Sequence, residues 1–240
     1  MASVDVVLPV FNEEQVLERS VRTLHLFLTD NLHHDWRIVI ADNGSRDRTP
    51  EIARSLSTEL EEVEAWHIPE AGRGRALTRA WLDSNADVLA YMDIDLSTDL
   101  EAFPRLVSAV ADQGNDIAAG TRLGPGTETR RSLKREVLSR GFVLIINLMF
   151  GARMRDTQCG FKAINRAAAQ KLLPLVKDTG WFWDTELLLL GAKSGWRVTF
   201  VPVRWVEDTD SRVKVVSTIL KDMKGMIRMR GFDWSKSRKP

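Results

Sequence analysis

Short apolar runs alternate with helix-patterned stretches through the first 120 residues of the chain. Val4 to Val10 is a β-branched run, and Glu14 to Leu28 carries Val16, Leu17, Val21, Leu24 and Leu28 at helical spacing. Arg37 to Ala41 is a second strand, ending at Asp42-Asn43-Gly44-Ser45. Thr49-Pro50 then supplies an N-cap and a first-turn proline for a helix through Leu60. Val63 to Ile68, Val88 to Met92 and Ile117 to Ala119 read as further strands, with helices near Arg75 to Asn85 and Leu100 to Gln113 between them. Alternation of this kind calls for an α/β fold with a mostly parallel sheet and helices on both faces. In such sheets ligands bind in the crevice beyond the carboxyl ends of the strands.

The second half is less regular. Gly120 to Thr129 is a Gly/Pro/Thr-rich loop, expected to be mobile. A basic stretch and then an apolar one fill Arg130 to Phe150; a helix follows near Trp181 to Gly195, and Trp196 to Trp205 alternates like a strand. From Val213 to about Arg230, Val216, Ile219, Leu220, Met223, Met226 and Ile227 form one helical stripe. The expected organisation is one large α/β domain over 1–210 and a basic amphipathic segment over 211–240.

The residues that bear chemistry fall at strand ends. Asp93-Ile94-Asp95 follows directly on the apolar run Val88 to Met92. Two carboxylates where a buried strand emerges are costly unless a cation meets them. Mg²⁺ is typically held by one or two carboxylates together with substrate phosphates. By itself the motif fits either a metal–diphosphate site or a helix or turn cap. Pro9-Val10-Phe11-Asn12-Glu13 and Asp42-Asn43-Gly44-Ser45 end two other strands. Gly72-Arg73-Gly74 opens a helix whose backbone N–H groups and arginine are suited to phosphate. Leu77 stands where the third small residue of a dinucleotide fingerprint belongs, which argues against hydride transfer. His33-His34 lacks carboxylate or Cys partners at zinc-ligand spacing, so no zinc is expected there. Trp181 and Trp183 either frame an acceptor pocket or pack a core.

Charge and cysteine usage narrow the partners. A net charge of +1 conceals a local +7 over Ser211 to Pro240, against −6 in the preceding 210 residues. A basic tail on an acidic body points to an anionic surface or to a solvated helix face. No base-reading module accompanies it, so nucleic acid is not the expected partner. The lone Cys159 makes no internal disulfide and reads as a small buried hydrophobe, which favours a reducing, cytoplasmic setting. No signal peptide is read at the start, and no apolar stretch reaches the roughly 18 residues of a spanning helix. The run Phe142 to Phe150, preceded by Arg130, Arg131, Lys134, Arg135 and Arg140, is either an amphipathic element on an anionic leaflet, a buried helix or an oligomer contact.

Val-Leu-Pro-Val-Phe-Asn-Glu-Glu, Asp-Asn-Gly-Ser-Arg-Asp-Arg-Thr and Asp-Ile-Asp-Leu-Ser, in that order, resemble the family 2 inverting glycosyltransferases of GT-A fold. Arg155-Asp156-Thr157-Gln158-Cys159-Gly160-Phe161-Lys162 and Trp183-Asp184-Thr185-Glu186-Leu187 narrow the resemblance to the dolichyl/polyprenyl-phosphate sugar transferases, the glucosyl branch in particular. The resemblance spans roughly Val4 to Arg230. It implies that Pro9, Phe11 and Glu13 line the nucleotide pocket and that Asp42 contacts base or ribose. It places Asp93, Ile94 and Asp95 at ribose and diphosphate, with Asp95 the better ligand for Mg²⁺ or Mn²⁺ and Ser97 a further one. Arg122 matches a contact to donor sugar or diphosphate, and Ser211-Arg212 the element that closes on the phosphates. Asn43 departs from the family, where many members have a second Asp.

The implied reaction moves a sugar, first of all glucose from UDP-glucose, onto a polyprenyl phosphate. GDP-mannose as donor, or a saccharide or protein acceptor, are the alternatives; a nucleotide-sugar- or membrane-binding module is the non-enzymatic one. A metal acting as Lewis acid stabilises the leaving diphosphate. Arg212, Arg122 and Arg73 add charge-assisted hydrogen bonds. A phosphate monoester is largely ionised at neutral pH, so no general base is required. Asp156 is the candidate if one exists; an ion pair with Arg155 or Lys162, or a turn cap, is the other reading. The implied setting is peripheral, on the cytoplasmic side of a membrane, with a second copy of the chain or a membrane-spanning partner left open.

Overall fold

The computed structural model describes residues 1–130, 133–206 and 215–239. Its elements in chain order are β1 (Ser3–Val10), α1 (Leu17–Asn31), β2 (Asp35–Asp42), α2 (Thr49–Glu59), β3 (Val63–His67), α3 (Arg73–Asp83), β4 (Val88–Met92), α4 (Phe103–Ala111) and β5 (Ile117–Thr121). Then come β6 (Glu128–Arg130), α5 (Leu133–Phe150), β7 (Phe161–Asn165), α6 (Arg166–Leu172), α7 (Trp183–Lys193), β8 (Val198–Pro202), β9 (Arg204–Val206) and α8 (Val215–Arg230).

Seven strands form one sheet in the order β3-β2-β1-β4-β7-β5-β8, and β6 pairs β9 in a second, two-stranded one. All neighbours in the large sheet are parallel except β7, which runs antiparallel to both β4 and β5. From β1 the chain moves outward through β2 to β3 and then returns to place β4 on the other side of β1. That reversal opens a crevice beyond the carboxyl ends of β1 and β4, where open α/β sheets bind ligands.

Every residue of β1 from Val4 onward is buried, as a strand covered on both faces requires. Val4, Val6, Leu8 and Val10 pack against α1, α2 and α4 through Leu17, Leu24, Leu56 and Phe103. Val7, with Val39, Leu89 and Tyr91, faces the opposite core, which α3, α6, α7 and parts of α5 and α8 complete. Asp5 is tolerated inside because Arg37 Nη2 donates to its Oδ2 at 2.7 Å and Ser84 Oγ at 2.6 Å.

Three sequence expectations change. Phe161–Asn165 is a strand that periodicity did not reveal, because a lysine occupies its second position and is met only by groups distant in sequence. Trp196 to Trp205 is not one strand: the chain leaves the large sheet after Pro202 and joins the small one at Arg204. Thr49 is not an N-cap; α2 begins at Thr49, whose Oγ1 accepts from Glu13 N at 2.8 Å, while Asp47 Oδ1 accepts from Thr49 N at 3.0 Å. The hydroxyl expected to cap its own helix instead ties down the β1–α1 loop. The boundary expected at 210/211 lies outside the described residues.

On α5, Ile146 and Phe150 enter the core whereas Val137, Leu138, Leu144, Ile145 and Leu148 are exposed. The helix is therefore neither wholly buried nor wholly solvated. On α8, Met226 and Met229 are buried, Arg228 Nη2 donates to Glu186 Oε2 at 2.6 Å, and Gln158 Nε2 donates to Asp222 Oδ2 at 2.9 Å. Gly225 lets α8 close on α7: a Cβ there would lie 2.3 Å from the Phe182 ring. Gly225→Ala is expected to destabilise the fold by about 1–3 kcal/mol through overpacking. Thermal denaturation checks this, with an expected fall in Tm of about 2–4 °C per kcal/mol for a chain of this size.

Candidate active site

Five segments converge at the carboxyl edge of β4: the Asp93–Ser97 turn, the first residue of α3, the end of β5, the loop before β7 and the first turn of α7. Beyond Met92 the backbone turns sharply. Leu96 N donates to Asp93 O at 3.2 Å, and Leu96 itself sits at φ +50°. That left-handed conformation is strained for leucine, and such strain collects at functional sites. Ser97 N donates to Asp95 Oδ1 at 3.0 Å, and the Asp95 side chain lies exposed on the turn. Ile94 between the two carboxylates packs into the core.

Asp93 turns toward Arg73 and Gly160 while keeping 35% of its side chain exposed. Arg73 donates to its Oδ1 from Nη2 at 2.8 Å and from Nε at 3.3 Å. Its Oδ2 lies over Gly160, where a Cβ would stand 1.7 Å away, so glycine is obligatory there while Asp93 holds this position. Asp93 N donates to Gly160 O at 3.1 Å, fixing the same contact from the backbone.

Arg73 continues inward. Its Nη1 donates to Asp184 Oδ2 at 2.7 Å, and its guanidinium stands 4.9 Å from the Tyr91 ring centroid and 5.1 Å from that of Trp181. The fully buried Lys162 contributes Nζ to Asp184 Oδ1 at 2.8 Å and to Cys159 O at 2.6 Å. The Tyr91 hydroxyl also donates to Asp184. Burial alone would raise the Asp184 carboxyl, but the Lys162 and Arg73 charges override it and hold it below the usual carboxylate range. Trp183, packed in the core with Nε1 donating to Thr78 Oγ1 at 2.8 Å, is separated from the half-exposed Trp181.

Arg122, just past β5, makes a second ion pair. Its Nε donates to Asp156 Oδ2 at 2.8 Å and its Nη2 to Asp156 Oδ1 at 3.1 Å, with Trp205 stacked 5.4 Å away. The Arg122 and Gln158 backbone N–H groups, each at 3.1 Å, also bind the Asp156 carboxylate. Burial pushes Asp156 upward, but Arg122 outweighs it and holds the carboxyl at about 2. A carboxylate so occupied is built to hold Arg122. Its ion-pair partner is Arg122 rather than the Arg155 or Lys162 considered from sequence. Burial pushes the Cys159 thiol up to about 12, so it is no nucleophile.

A second group of the candidate residues is built at β1, β2 and β3. Phe11 is exposed beyond the buried Pro9, Asn12 N donates to Ser45 Oγ at 2.8 Å, and Arg46 N donates to Asn12 Oδ1 at 2.8 Å. Glu13 N is the group held by Thr49, which fixes this residue on the rim. Asn43, the departure from the family, joins three elements: Nδ2 donates to Val10 O at 2.7 Å and Oδ1 accepts from Gly72 N at 3.0 Å. Gly74 N donates to Thr179 O at 3.0 Å. Two of the N–H groups that the sequence offered to phosphate, those of Gly72 and Gly74, are thus already used. Asp42 is buried, with Oδ1 accepting from Ser45 N at 3.0 Å and Oδ2 from His67 Nδ1 at 2.7 Å. Because a carboxylate only accepts, His67 carries its proton on Nδ1 in this pair.

Of the residues singled out from sequence, Asp93, Arg73, Arg122 and Asp156 are brought into one electrostatic neighbourhood, with Asp95 and Ser97 on its outer rim. Pro9, Phe11, Glu13 and Asp42 gather on the adjoining side. Ser211 and Arg212 lie outside the described residues. Sequence reasoning considered Lys162 only as an ion-pair partner of Asp156 and gave no role to Tyr91, Asp184 or His67. The lone lysine in the apolar stretch Phe161 to Ile164 was the one available signal, since a buried lysine needs a partner.

A divalent cation fits the outer rim: Asp95 offers an exposed carboxylate and Ser97 a hydroxyl two residues on, both hard oxygen donors. Among the described residues no cluster of three or more acidic, His or Cys ligands is present.

Residues 5–173 match the family described as Glycosyl transferase family 2. Glycosyltransferase AglD of Haloferax volcanii is 39% identical over 222 residues, covering 90% of this chain and 35% of that protein. The dolichyl-phosphate beta-glucosyltransferase ALG5C of Trichomonas vaginalis is 29% identical, covering 93% of this chain and 67% of its own length. The dolichyl-phosphate beta-glucosyltransferase of Saccharomyces cerevisiae is 27% identical, covering 94% and 73%. The chain thus spans about a third of AglD and about two thirds of ALG5C. Glucosyl-3-phosphoglycerate synthase of Mycobacterium tuberculosis, solved with UDP, superposes with a TM-score of 0.72 at 20% identity, covering 97% of this chain and 81% of that one. The α/β fold expected from the resemblance, GT-A, is the fold observed.

Asp156→Asn is expected to destabilise the protein by about 3–5 kcal/mol, because Arg122 is left buried without its counter-charge. Chemical denaturation at pH 7 measures it. The folded carboxyl titrates near 2 and the unfolded one near about 3.9, so the stabilisation is full at neutral pH and fades as pH falls from about 4 to 2. The difference between wild type and Asp156→Asn therefore narrows across that window.

Proposed function

The chain belongs to glycosyl transferase family 2, and on that premise we propose that it moves a sugar from a nucleotide-sugar to a polyprenyl phosphate, with UDP-glucose the first donor. The observation that carries this reading is the exposed Asp95 carboxylate on a strained turn, two residues from Asp93, which Arg73 binds and whose charge Arg122 feels. An anionic diphosphate with its cation fits such an edge. The names of the 27–29% identical relatives, dolichyl-phosphate beta-glucosyltransferases, support glucose and a lipid phosphate.

In this reading the base and ribose lie against Phe11, Glu13 and Asp42, and Asp93 faces ribose and sugar. Asp95 and Ser97 hold Mg²⁺ or Mn²⁺, which when bound supplies Lewis-acid stabilisation of the leaving diphosphate. Arg122, held by Asp156, contributes positive charge where the diphosphate departs; for Arg212, outside the described residues, the same role rests on the family resemblance alone. Preorganised charge of this kind needs no reorganisation as the bond breaks. The acceptor phosphate oxygen attacks the anomeric carbon from the face opposite the diphosphate. One carbon–oxygen bond forms, the other breaks, and its electron pair leaves on the diphosphate. Because the acceptor is already ionised, no proton has to move, and Asp156 serves as the support of Arg122.

The acceptor also accounts for the outer faces of α5 and α8. Val137, Leu138, Leu144, Ile145 and Leu148 line one side of α5, and exposed Met223 and Ile227 on α8 lie among exposed Lys221, Lys224, Arg228 and Arg230. Apolar residues flanked by basic ones suit a helix lying on an anionic leaflet. No helix among the described residues is long and apolar enough to cross a membrane. Peripheral association is the reading these faces support.

Incubation with radiolabelled nucleotide-sugars, polyprenyl phosphate and Mn²⁺ or Mg²⁺ tests the proposal. Lipid labelled from UDP-glucose is the expected result, labelling from GDP-mannose alone would change the donor, and no labelled lipid with any donor would overturn the reading. Asp95→Asn is expected to lower turnover by at least about 100-fold, the scale of several kcal/mol of charge stabilisation. Separately, the protein is expected to sediment with anionic liposomes at low salt, and Leu144→Glu/Leu148→Glu to weaken that binding. Equal recovery in the supernatant with and without liposomes would remove the membrane assignment.

A further inference from the structure

Asp184 has no part in the roles just assigned, yet it is buried and holds Arg73, Lys162 and Tyr91. Arg73 links it to the reacting edge, because the guanidinium that rests on Asp184 also donates twice to Asp93 Oδ1. With Oδ1 held by Arg73 and Oδ2 over Gly160, the Asp93 carboxylate has one orientation. We propose that Asp184 is a positioning residue: acting through Arg73, it fixes the Asp93 carboxylate where the donor's ribose and sugar lie, while Lys162 supplies the counter-charge for its burial. The inference rests on the nucleotide-sugar reading of the site.

The physical reason is the second anchor. An arginine paired only with Asp93 at an anion-binding edge is free to swing onto an arriving diphosphate and leave Asp93 without its donor. A guanidinium forked onto two carboxylates and wedged between Tyr91 and Trp181 is held against that pull. Lys162 explains why the anchor survives inside the protein, since a carboxylate and an ammonium in contact avoid leaving either charge alone. Asp184 enters from the first turn of α7 and Arg73 from the first residue of α3, so the clamp joins two helix starts across the crevice.

A purely structural Asp184 would neutralise Lys162 and do nothing else, and one set of variants separates the two roles. Asp184→Asn/Lys162→Met removes both charges together, leaving no lone buried ion, whereas Asp184→Glu keeps the charge. Transfer kinetics with UDP-glucose and polyprenyl phosphate are measured beside calorimetric binding of UDP with Mn²⁺ and thermal denaturation. Positioning predicts a kcat lowered by about 10–100-fold in the double variant, the range that a displacement near 1 Å produces. UDP affinity is expected to fall by far less than kcat, since UDP keeps the ribose but lacks the sugar that Asp93 faces. Asp184→Glu is expected to retain several-fold more kcat than Asp184→Asn, and that pair carries the comparison if the double variant does not fold. Variants with wild-type kcat would overturn the inference, and so would parallel losses of kcat, UDP affinity and stability. Those results leave the transferase reading standing. A wild-type protein that binds no UDP with Mn²⁺ and transfers no sugar overturns both.

Discussion

The buried chain of opposite charges from Asp93 through Arg73 and Asp184 to Lys162 is the interaction on which the centre of this molecule depends. Lys162 is fully buried, and burying an ammonium in a protein core is tolerable only against a carboxylate with good geometry. Asp184 meets that need and the need of Arg73 at once. The four side chains come from β4's end, α3, α7 and β7, so satisfying their charges also fixes how those elements meet. In the β4–β7 ladder Tyr91 lies directly opposite Lys162, and the Tyr91 hydroxyl reaches the same carboxylate. The register of the one antiparallel strand in the large sheet and the charge balance beneath the crevice are therefore parts of one arrangement.

A second, separate pair, Arg122 with Asp156, places another guanidinium beside the same crevice. Both arginines are substantially buried, each is backed by a carboxylate, and each stacks on aromatic rings. Charges held this way are directed before any ligand arrives, which is what makes electrostatic stabilisation of a leaving anion effective. The carboxylates divide in kind accordingly. Asp156 and Asp184 are enclosed and support cations, while Asp95 is exposed and suits a hard cation shared with substrate oxygens.

Much of the first half was legible in the sequence because local pattern and tertiary environment agree there. The run Val4 to Val10 is apolar except for Asp5 and is buried on both sides of the sheet, and the polar residues that stop each run mark the crevice. The Asp93–Asp95 motif was legible for the same reason: two carboxylates after five apolar residues stand out against their surroundings. Phe161–Asn165 was not, because the features that stabilise a lysine in that strand lie 22 residues ahead at Asp184 and 71 behind at Tyr91. Thr49 failed locally in the same way, since a hydroxyl suited to capping its own helix is taken by the Glu13 amide.

By itself the sequence determined the class of fold, a mostly parallel sheet with its chemistry at the strand ends, and the oxygen-rich turn at Asp93 to Ser97. Period-2 and period-3.6 patterns and turn residues are local, and they survive in any context that keeps them. Only the tertiary structure decided which groups meet: Arg73 with Asp93 and Asp184, Arg122 with Asp156, and His67 with Asp42. The physical reason is that an ion pair depends on distance in space and on exclusion of water, and residues 111 positions apart acquire both only when the chain has folded.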